Sequence, residues 1–274
     1  FKQKTHLLIM KRFAPLIAVA FVSLIAPAFG EMNIDVVVDG LNNPWEMVFA
    51  PNGDIYFSER DGRVWKIENF GEAKVIQTFP KSGSYEGGTL GLALHPNFEE
   101  NKKIYIYQTN LELEFFQNKV FSFTVDGDEL VDVQTVIDDI PGAPWHDGGR
   151  IAFGPDDKLY ITTGDAVNPG WSQDLSSLAG KILRINSDGS IPDDNPFDSS
   201  AIFSYGHRNP QGIAWNEDGL FVSSEHGPSG EMGYGHDEIN VIVKGKNYGW
   251  PKVVGDSSDD SFVNPVIHSG EQTW

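Results

Sequence analysis

The sequence predicts an all-β protein, a β-propeller with about four blades present in this chain. One observation is a repeated pattern of an apolar strand, a turn rich in Pro, Asn, Asp and Gly, and a second strand of alternating or aromatic residues. A second is the spacing of the copies, which begin 45, 59 and 62 residues apart, room for about four short strands each. A third is that no stretch sustains a helical hydrophobic period.

Each copy is a hairpin followed by a further strand or pair of strands. The hairpins are MVFAPNGDIYFSE (47–59), LALHPNFEENKKIYIYQ (92–108), IAFGPDDKLYITTG (151–164) and IAWNEDGLFVSSE (213–225), and the strands after them are GRVWKIE, KVFSFTV, GKILRIN and DEINVIV. The turns use residues that tolerate tight or left-handed geometry. The only helix expected is a short turn around SQDLSSL (172–178). A β-sandwich also uses short strands and turns and stays open as the alternative.

Composition excludes several classes of function. The chain has 39 acidic and 20 basic residues, a net charge of -19, and no cysteine. This charge repels nucleic acids and anionic lipid surfaces, whereas neutral ligands and cations such as Ca²⁺ suit it. Without cysteine, the chain forms no disulfide, no thiolate zinc site and no cysteine nucleophile. The length is sufficient to bury a large core.

The first thirty residues are typical of an export signal. Lys11 and Arg12 precede an apolar run (13–29), and Ala28 and Gly30 give the small-residue spacing of a cleavage site after Gly30. The apolar run is shorter than the roughly 20 residues of a transmembrane helix, although an uncleaved anchor stays open. We therefore predict a signal peptide with an upstream extension at 1–30, a periplasmic or secreted protein, and a propeller domain at 31–274 that ends before the propeller closes.

Polar residues accumulate in four loops between the predicted strands. These loops are SYEGGTLG (84–91), WHDGGR (145–150), SYGHRNPQG (204–212) and SSEHGPSGEMGYGHDEIN (223–240). Each of the first three precedes the first strand of its unit, so in a propeller all three open on the same face and converge on the channel. A ligand there would meet five side chains: Glu86, His146, Arg208, Asn209 and Gln211. Taken singly, each is also compatible with an ordinary surface or turn position.

The predicted cluster combines a base with a permanent cation. His146 can accept a proton near neutral pH, and Arg208 can stabilise charge that develops on an oxygen. Asp165 ends the hairpin that follows His146 and can fix the imidazole tautomer, although capping the next turn is an equal alternative. No G-x-S-x-G or H-E-x-x-H motif points to serine hydrolysis or to zinc.

The fourth loop suggests a hard cation. It contains oxygen donors of the kind that Ca²⁺ prefers: Glu225, Glu231, Asp237, Glu238 and Asn240. The carbonyls of Gly227 and Pro228 are further candidate ligands. The spacing does not match an EF-hand, and a solvated acidic loop is the alternative.

Several motifs together resemble the soluble, pyrroloquinoline-quinone (PQQ)-dependent glucose/sorbosone dehydrogenase family, of the aldose sugar dehydrogenase type. They are EGGTLGLALHPNF, HDGGRIAFGPDDKLYITTGD, GHRNPQGIAW, SEHGP and DEINVIVKGKNYGWP, in order between Leu41 and Trp274. The resemblance implies a six-bladed propeller with PQQ across the channel entrance, of which this chain supplies about four blades. The family's basic residues that hold the PQQ carboxylates lie in the later blades.

The resemblance also implies residue roles. His146 matches the catalytic base that takes the substrate hydroxyl proton, and Asp165 matches the carboxylate that supports it. Arg208 and Asn209 match residues beside the quinone carbonyls, and Gln211 lies in the same motif.

Three further positions match the parts of the family site that bind cofactor and metal. The carbonyls of Gly227 and Pro228 match ligands of a Ca²⁺ ion that also contacts PQQ. Glu86 matches a cofactor-contacting position that is glutamine in well-known members. The connection from Pro228 to Asp237 is longer than in the glucose dehydrogenases, which leaves a second calcium at Asp237 and Glu238 open.

The expected function is oxidation of aldose sugars at the anomeric carbon to lactones, with electrons passed on to an acceptor that the sequence does not identify. A Ca²⁺-dependent propeller lactonase is a second possibility, and a propeller that binds carbohydrate or a protein partner without chemistry is a third. None of the three calls for nucleic acid, or for a stable membrane span after signal cleavage.

Overall fold

The computed structural model describes residues 35–81, 85–112, 115–229 and 234–273, and Gly40–Trp274 form one compact unit. The predicted signal peptide lies outside the described residues. Within them, four sheets of four antiparallel strands follow the chain in order, which confirms the prediction of an all-β propeller with four blades. No described helix is long and apolar enough to cross a membrane.

Each blade is a meander in which every strand pairs with the next one along the chain. Blade 1 contains β1 (Pro44–Phe49), β2 (Ile55–Glu59), β3 (Arg63–Ile67) and β4 (Ala73–Thr78); blade 2 contains β5 (Thr89–Leu94), β6 (Lys103–Glu112), β7 (Phe115–Asp126) and β8 (Glu129–Pro141). Blade 3 contains β9 (Ile151–Phe153), β10 (Leu159–Thr163), β11 (Lys181–Ile185) and β12 (Ile202–Tyr205); blade 4 contains β13 (Pro210–Trp215), β14 (Phe221–Glu225), β15 (Glu238–Val241) and β16 (Ile267–His268). The four predicted hairpins are therefore β1–β2, β5–β6, β9–β10 and β13–β14.

The short helical turn expected around 172–178 lies a few residues earlier than predicted. A 3-10 helix occupies Pro169–Gln173 instead and ends at Asp174, whose backbone is extended. It begins with Pro169, whose fixed φ favours the first helical position. The short α-helix α1 (Phe98–Asn101) lies where the sequence predicted only a turn between β5 and β6. Its Phe98 side chain is buried against the core, and this tertiary contact outweighs local propensity.

Apolar side chains fill the spaces between neighbouring blades. One cluster lies between blades 1 and 2, a second joins blades 2 and 3, and a third joins blades 3 and 4. The middle strands β10 and β11 of blade 3 are buried along their whole length because blades 2 and 4 cover their two faces, and β2 of blade 1 is buried as well. Each fully buried Ile or Leu contributes about 1.5–3 kcal/mol.

The first strand of each blade faces the axis. Residues of β1, β5, β9 and β13 line a cavity of about 700 Å³, which is the central channel. In a meander, the start of the first strand and the end of the second lie at the same end of the blade. The loops before β5, β9 and β13, and those after β10 and β14, therefore open together at one mouth of this channel.

Candidate functional site

Loops from three blades meet through one carboxylate at the channel mouth. Glu86 Oε2 accepts the backbone N–H of His146 at 2.9 Å and the side-chain amide of Asn209 at 3.4 Å. The Asn209 Oδ1 in turn accepts the backbone N–H of Gly148 at 3.0 Å. The predicted convergence of these loops is confirmed. Glu86, at the position expected to touch cofactor, here holds two other site residues in place.

His146 is oriented by a fully buried carboxylate. Its Nδ1 lies 2.7 Å from Asp165 Oδ1, which confirms the predicted pairing. Asp165 Oδ1 also accepts the backbone N–H of Val167 at 2.9 Å, and Oδ2 accepts Trp250 Nε1–H at 2.8 Å. Asp165 presents an acceptor oxygen to Nδ1, so the hydrogen bond places the ring proton on Nδ1 and leaves Nε2 as the basic atom. The His146 side chain is 18% exposed, enough to meet a ligand in the channel.

The backbone around this pair is strained. His146, Ala166 and Val167 all adopt positive φ, of 63°, 51° and 60°. Residues other than glycine rarely adopt positive φ, and such backbone strain is concentrated at active sites and ligand-binding sites. The His146 carbonyl sits against Gly164, where a Cβ atom would lie 1.9 Å from it. Only glycine at 164 permits the loop before β9 to rest on the end of β10.

Arg208 is held through its backbone by a second buried His–carboxylate pair. Its N–H donates to Glu225 Oε1, while Glu225 Oε2 lies 2.8 Å from His207 Nδ1. His207 is fully buried, pairs with Ser204 Oγ at 2.8 Å through Nε2, and stacks on Tyr248. From the sequence, Glu225 was expected in the loop of candidate Ca²⁺ ligands, and His207 was not predicted as a site residue. The signal for His207 was its place in the GHRNPQG motif.

The Arg208 guanidinium is buried but lightly bonded. Nη1 donates to the His226 carbonyl at 3.4 Å and Nη2 to Ser229 Oγ at 3.3 Å. Burial lowers the pKa of Arg208, and the carboxylates around it oppose that effect. An arginine remains charged under these conditions. Its five N–H donors exceed these two long contacts, so Arg208 is suited to an anionic or carbonyl oxygen of a ligand.

Trp250 joins the two halves of the site. Its ring lies below the Arg208 guanidinium, with the carbon atom of the cation 5.6 Å from the ring centroid, and its Nε1–H donates to Asp165. The backbone of Trp250 is tied to Gly206 at 2.9 Å and to the Gln173 side chain at 2.7 Å. Trp250 was not predicted from the sequence as a site residue.

Gln211 lies to one side of the cluster. Its side-chain oxygen pairs with His226 Nε2 at 3.1 Å, and its backbone carbonyl accepts Arg150 Nε–H at 2.8 Å. A bulge in β13 between Pro210 and Gly212 interrupts the strand alternation at this residue. The structure therefore brings Glu86, His146, Asp165, Arg208 and Asn209 together, and places Gln211 with His226.

Gly227 and Pro228 line a small cleft beside Arg208 and Trp250. The Gly227 N–H donates to Asp237 Oδ1 at 2.8 Å, which closes the loop on itself. Gly227 is tightly packed, because a Cβ atom there would lie 1.9 Å from the Gly235 carbonyl. The two positions predicted to bind a metal are thus next to the arginine, and Asp237 shapes their loop.

Glu238 is a half-buried acid opposite Glu225 in the β14–β15 register. It accepts hydrogen bonds from Asn240 at 3.1 Å and from the Gly255 N–H at 3.2 Å. Burial and the neighbouring Glu225 raise the pKa of Glu238 to about 8. Glu231 lies outside the described residues. Within the described ranges, no group of three or more His, Asp or Glu side chains is arranged to hold a metal ion.

These features define a class: a β-propeller whose channel mouth carries a carboxylate-oriented histidine next to a buried arginine and its aromatic support. Residues 41–270 match the Glucose / Sorbosone dehydrogenase family, and the chain belongs to that family. The resemblance stated from the sequence motifs is confirmed.

Individual relatives agree with this assignment. Quinoprotein glucose dehydrogenase B of Acinetobacter calcoaceticus is 33% identical over 263 residues, covering 83% of this chain and 54% of that protein. Aldose sugar dehydrogenase YliI of Escherichia coli K12 is 35% identical over 253 residues, covering 86% of this chain and 66% of that protein. This chain therefore spans between about half and two thirds of the length of these relatives.

The same likeness is present in three dimensions. A PQQ-bound aldose sugar dehydrogenase from Streptomyces coelicolor superimposes with a TM-score of 0.79 at 38% identity, covering 86% of this chain and 70% of that one.

Proposed function

We propose that the protein is a PQQ-dependent aldose sugar dehydrogenase that oxidises sugars at the anomeric carbon to lactones. The observation that carries this proposal is the His146–Asp165 pair, set beside Arg208 at the channel mouth of a member of the sugar dehydrogenase family. The relatives named above as quinoprotein and as PQQ-bound support PQQ as the cofactor.

The residues present fit a planar, anionic quinone. Arg208 offers a buried cation with donors to spare, and Asn209 adds a side-chain amide on the same side. We assign these two residues and His146 to the cofactor site, with Glu86 and Gln211 as more distant members. When bound, PQQ supplies a quinone that accepts a hydride from the sugar.

His146 supplies the base for this reaction. Its Nε2 accepts the proton of the anomeric hydroxyl, and the resulting imidazolium is stabilised by Asp165, which Val167 and Trp250 hold in place by donating to it. Arg208 would stabilise the negative charge that develops on a quinone bound beside it. The base and the cation are both fixed before substrate arrives, so little reorganisation is needed.

We further propose that Ca²⁺ binds at the carbonyls of Gly227 and Pro228. Carbonyl oxygens are ligands that Ca²⁺ favours, and Glu225, Asp237 and Glu238 make this corner of the site strongly acidic. A cation here would lie next to Arg208 and offset the local excess of carboxylates. A second ion at Asp237 and Glu238 is not part of this proposal.

The test is reconstitution of the full-length protein with PQQ and Ca²⁺, followed by dye reduction with glucose. We expect glucose-dependent dye reduction that falls about 10²–10⁴-fold in His146→Gln, the usual contribution of a general base. His268→Gln, on the outer strand β16, is the matched control and should retain activity. Hydrolysis of a lactone without quinone, or dye reduction independent of His146, would contradict the proposal.

Export is the remaining part of the proposal. The apolar segment at 13–29 supports a periplasmic or secreted location. Fractionation of the native host should place the protein outside the cytoplasm, shortened by its first thirty residues, whereas an intact cytoplasmic chain would contradict it.

A further inference from the structure

Two exposed aromatic rings stand side by side at the channel mouth. Tyr85 is 68% exposed and Trp145 is 45% exposed. Their rings are stacked with centroids 4.9 Å apart and an interplanar angle of 2°. Tyr85 directly precedes Glu86, and Trp145 directly precedes His146, so the pair adjoins the base on both loops.

The pair is built into the backbone of the site. The N–H groups of Tyr85 and Glu86 both donate to the Pro144 carbonyl, at 3.1 and 3.0 Å. The His146 N–H returns a bond to Glu86 Oε2 at 2.9 Å. These three bonds lock the loop of blade 2 to the loop of blade 3, and the ring positions follow from that lock. A fixed, exposed aromatic surface beside a reactive group is typical of a ligand-binding surface.

The surroundings indicate a neutral ring that carries hydroxyl groups. Stacked aromatic rings offer a flat apolar surface to the C–H face of such a ring. The neighbouring Glu86 carboxylate accepts two hydrogen bonds at Oε2, and a carboxylate can accept about four, so it is suited to sugar hydroxyls.

We propose that Tyr85 and Trp145 form a stacking subsite for the pyranose ring of the sugar, with Glu86 as its hydroxyl acceptor. This inference rests on the proposed function, because it assigns the substrate-binding side of the same site. Stacking recognises the apolar face of a ring and discriminates weakly among hydroxyl configurations. The subsite therefore sets affinity for cyclic aldoses and favours several of them over open-chain aldehydes.

Steady-state kinetics of the reconstituted full-length enzyme test the subsite. We expect Tyr85→Ala and Trp145→Ala each to raise KM for glucose and xylose by about threefold to tenfold, the effect of losing one aromatic contact, with kcat little changed. Tyr85→Phe keeps the stacking ring and should restore the KM. The KM for glyceraldehyde, which has no pyranose ring, should not move. Phe70→Ala is the matched control, an equally exposed aromatic ring in the β3–β4 turn at the other end of blade 1.

A binding experiment separates this inference from the proposed function. In saturation-transfer NMR on the full-length protein without PQQ, the ring protons of glucose should receive signal from the wild type and from Tyr85→Phe, and lose it in Tyr85→Ala and in Trp145→Ala. Sugar binding of this kind without any dehydrogenase activity would refute the proposed function and keep the subsite. An active enzyme whose KM is unchanged in both alanine variants would overturn the subsite. So would alanine variants that weaken PQQ binding and leave sugar binding intact.

Discussion

The two sides of the site are constructed differently. On the base side, His146 and Asp165 are held by bonds from remote parts of the chain, and the Trp250 bond to Asp165 joins residues 85 positions apart. Beside Arg208, the loop that contains the candidate Ca²⁺ ligands Gly227 and Pro228 is closed by a local hydrogen bond between Gly227 and Asp237, ten positions apart. His146 and Asp165 are therefore fixed by contacts between distant parts of the chain, whereas the contact between Gly227 and Asp237 is local.

Replacing the Asp165 carboxylate by a neutral amide should have the largest effect, because it removes the group that orients His146. We expect Asp165→Asn to lower kcat by about 10²–10⁴-fold, since an amide can donate to Nδ1 and so favour the wrong tautomer. Asp174→Asn, an exposed acid in the same loop, should be close to wild type. Dye-reduction kinetics give the result. A variant with unimpaired kcat would show that Asp165 only caps the turn.

The hydrogen bond from Trp250 to Asp165 tests whether the His146 side and the Arg208 side of the site depend on each other. Trp250→Phe removes the Nε1–H donor and keeps a ring below Arg208, so we expect kcat to fall about tenfold, in line with one hydrogen bond to a charged group. In combination with Asp165→Asn the losses should be less than multiplicative, because both act on the same carboxylate. Trp65→Phe in blade 1 controls for the loss of an indole. Fully multiplicative losses would contradict a shared role.

The sequence could predict the His146–Asp165 pair but not the Trp250 bond. His146 precedes β9 and Asp165 follows β10, and the register of this hairpin brings the two ends together. Trp250 lies on a segment that pairs with the end of β12 through the bridge between Tyr205 and Asn247. This segment is far from Asp165 in the sequence, 85 positions away at Trp250. Short-range patterns carry no information about such a return.

The prediction that Gln211 joins the cluster shows the second limit of sequence reasoning. The propeller register placed it correctly on the mouth of the channel, but the β13 bulge directs it towards His226. A one-residue irregularity leaves no mark on the hydrophobic pattern. The burial of His207 could not be predicted for another reason. It depends on contacts with Glu225 and Tyr248, which are distant from His207 in the sequence.

Disturbing the carboxylate behind Arg208 should affect stability more than chemistry. Glu225→Gln leaves a donor facing either the Arg208 N–H or His207, and an unsatisfied buried polar group costs about 1–3 kcal/mol. We expect a lower thermal midpoint and a higher cofactor dissociation constant. The exposed Glu129→Gln on β8 should melt like the wild type. An unchanged midpoint for Glu225→Gln would mean that the His207–Glu225 pair is dispensable.

The smallest expected effect on turnover concerns Lys181, which supports the loop that follows Asp165. This buried side chain donates to the carbonyls of Trp171 at 2.7 Å and Ala179 at 2.6 Å. Burial lowers the pKa of Lys181 to about 7. Between pH 7 and its unfolded pKa the unfolded chain binds more protons at this group, so its contribution to stability rises with pH across that window.

Urea unfolding of wild type and Lys181→Met from pH 6 to 10 measures this contribution. The free energy of unfolding of the wild type should increase with pH relative to that of the variant, which cannot titrate at this position. A constant difference between the two proteins across this range would contradict a lowered pKa for Lys181.

The scaffold presents His146 with its proton on Nδ1 and its basic Nε2 towards the channel before any ligand binds. Nitrogen-15 NMR of the histidine rings in the full-length protein without cofactor tests this arrangement, with His146→Gln used to assign the signal. We expect a protonated Nδ1 with the strong low-field shift of a proton shared with Asp165, and a bare Nε2. A ring protonated at Nε2, or one that averages between the two tautomers, would contradict it.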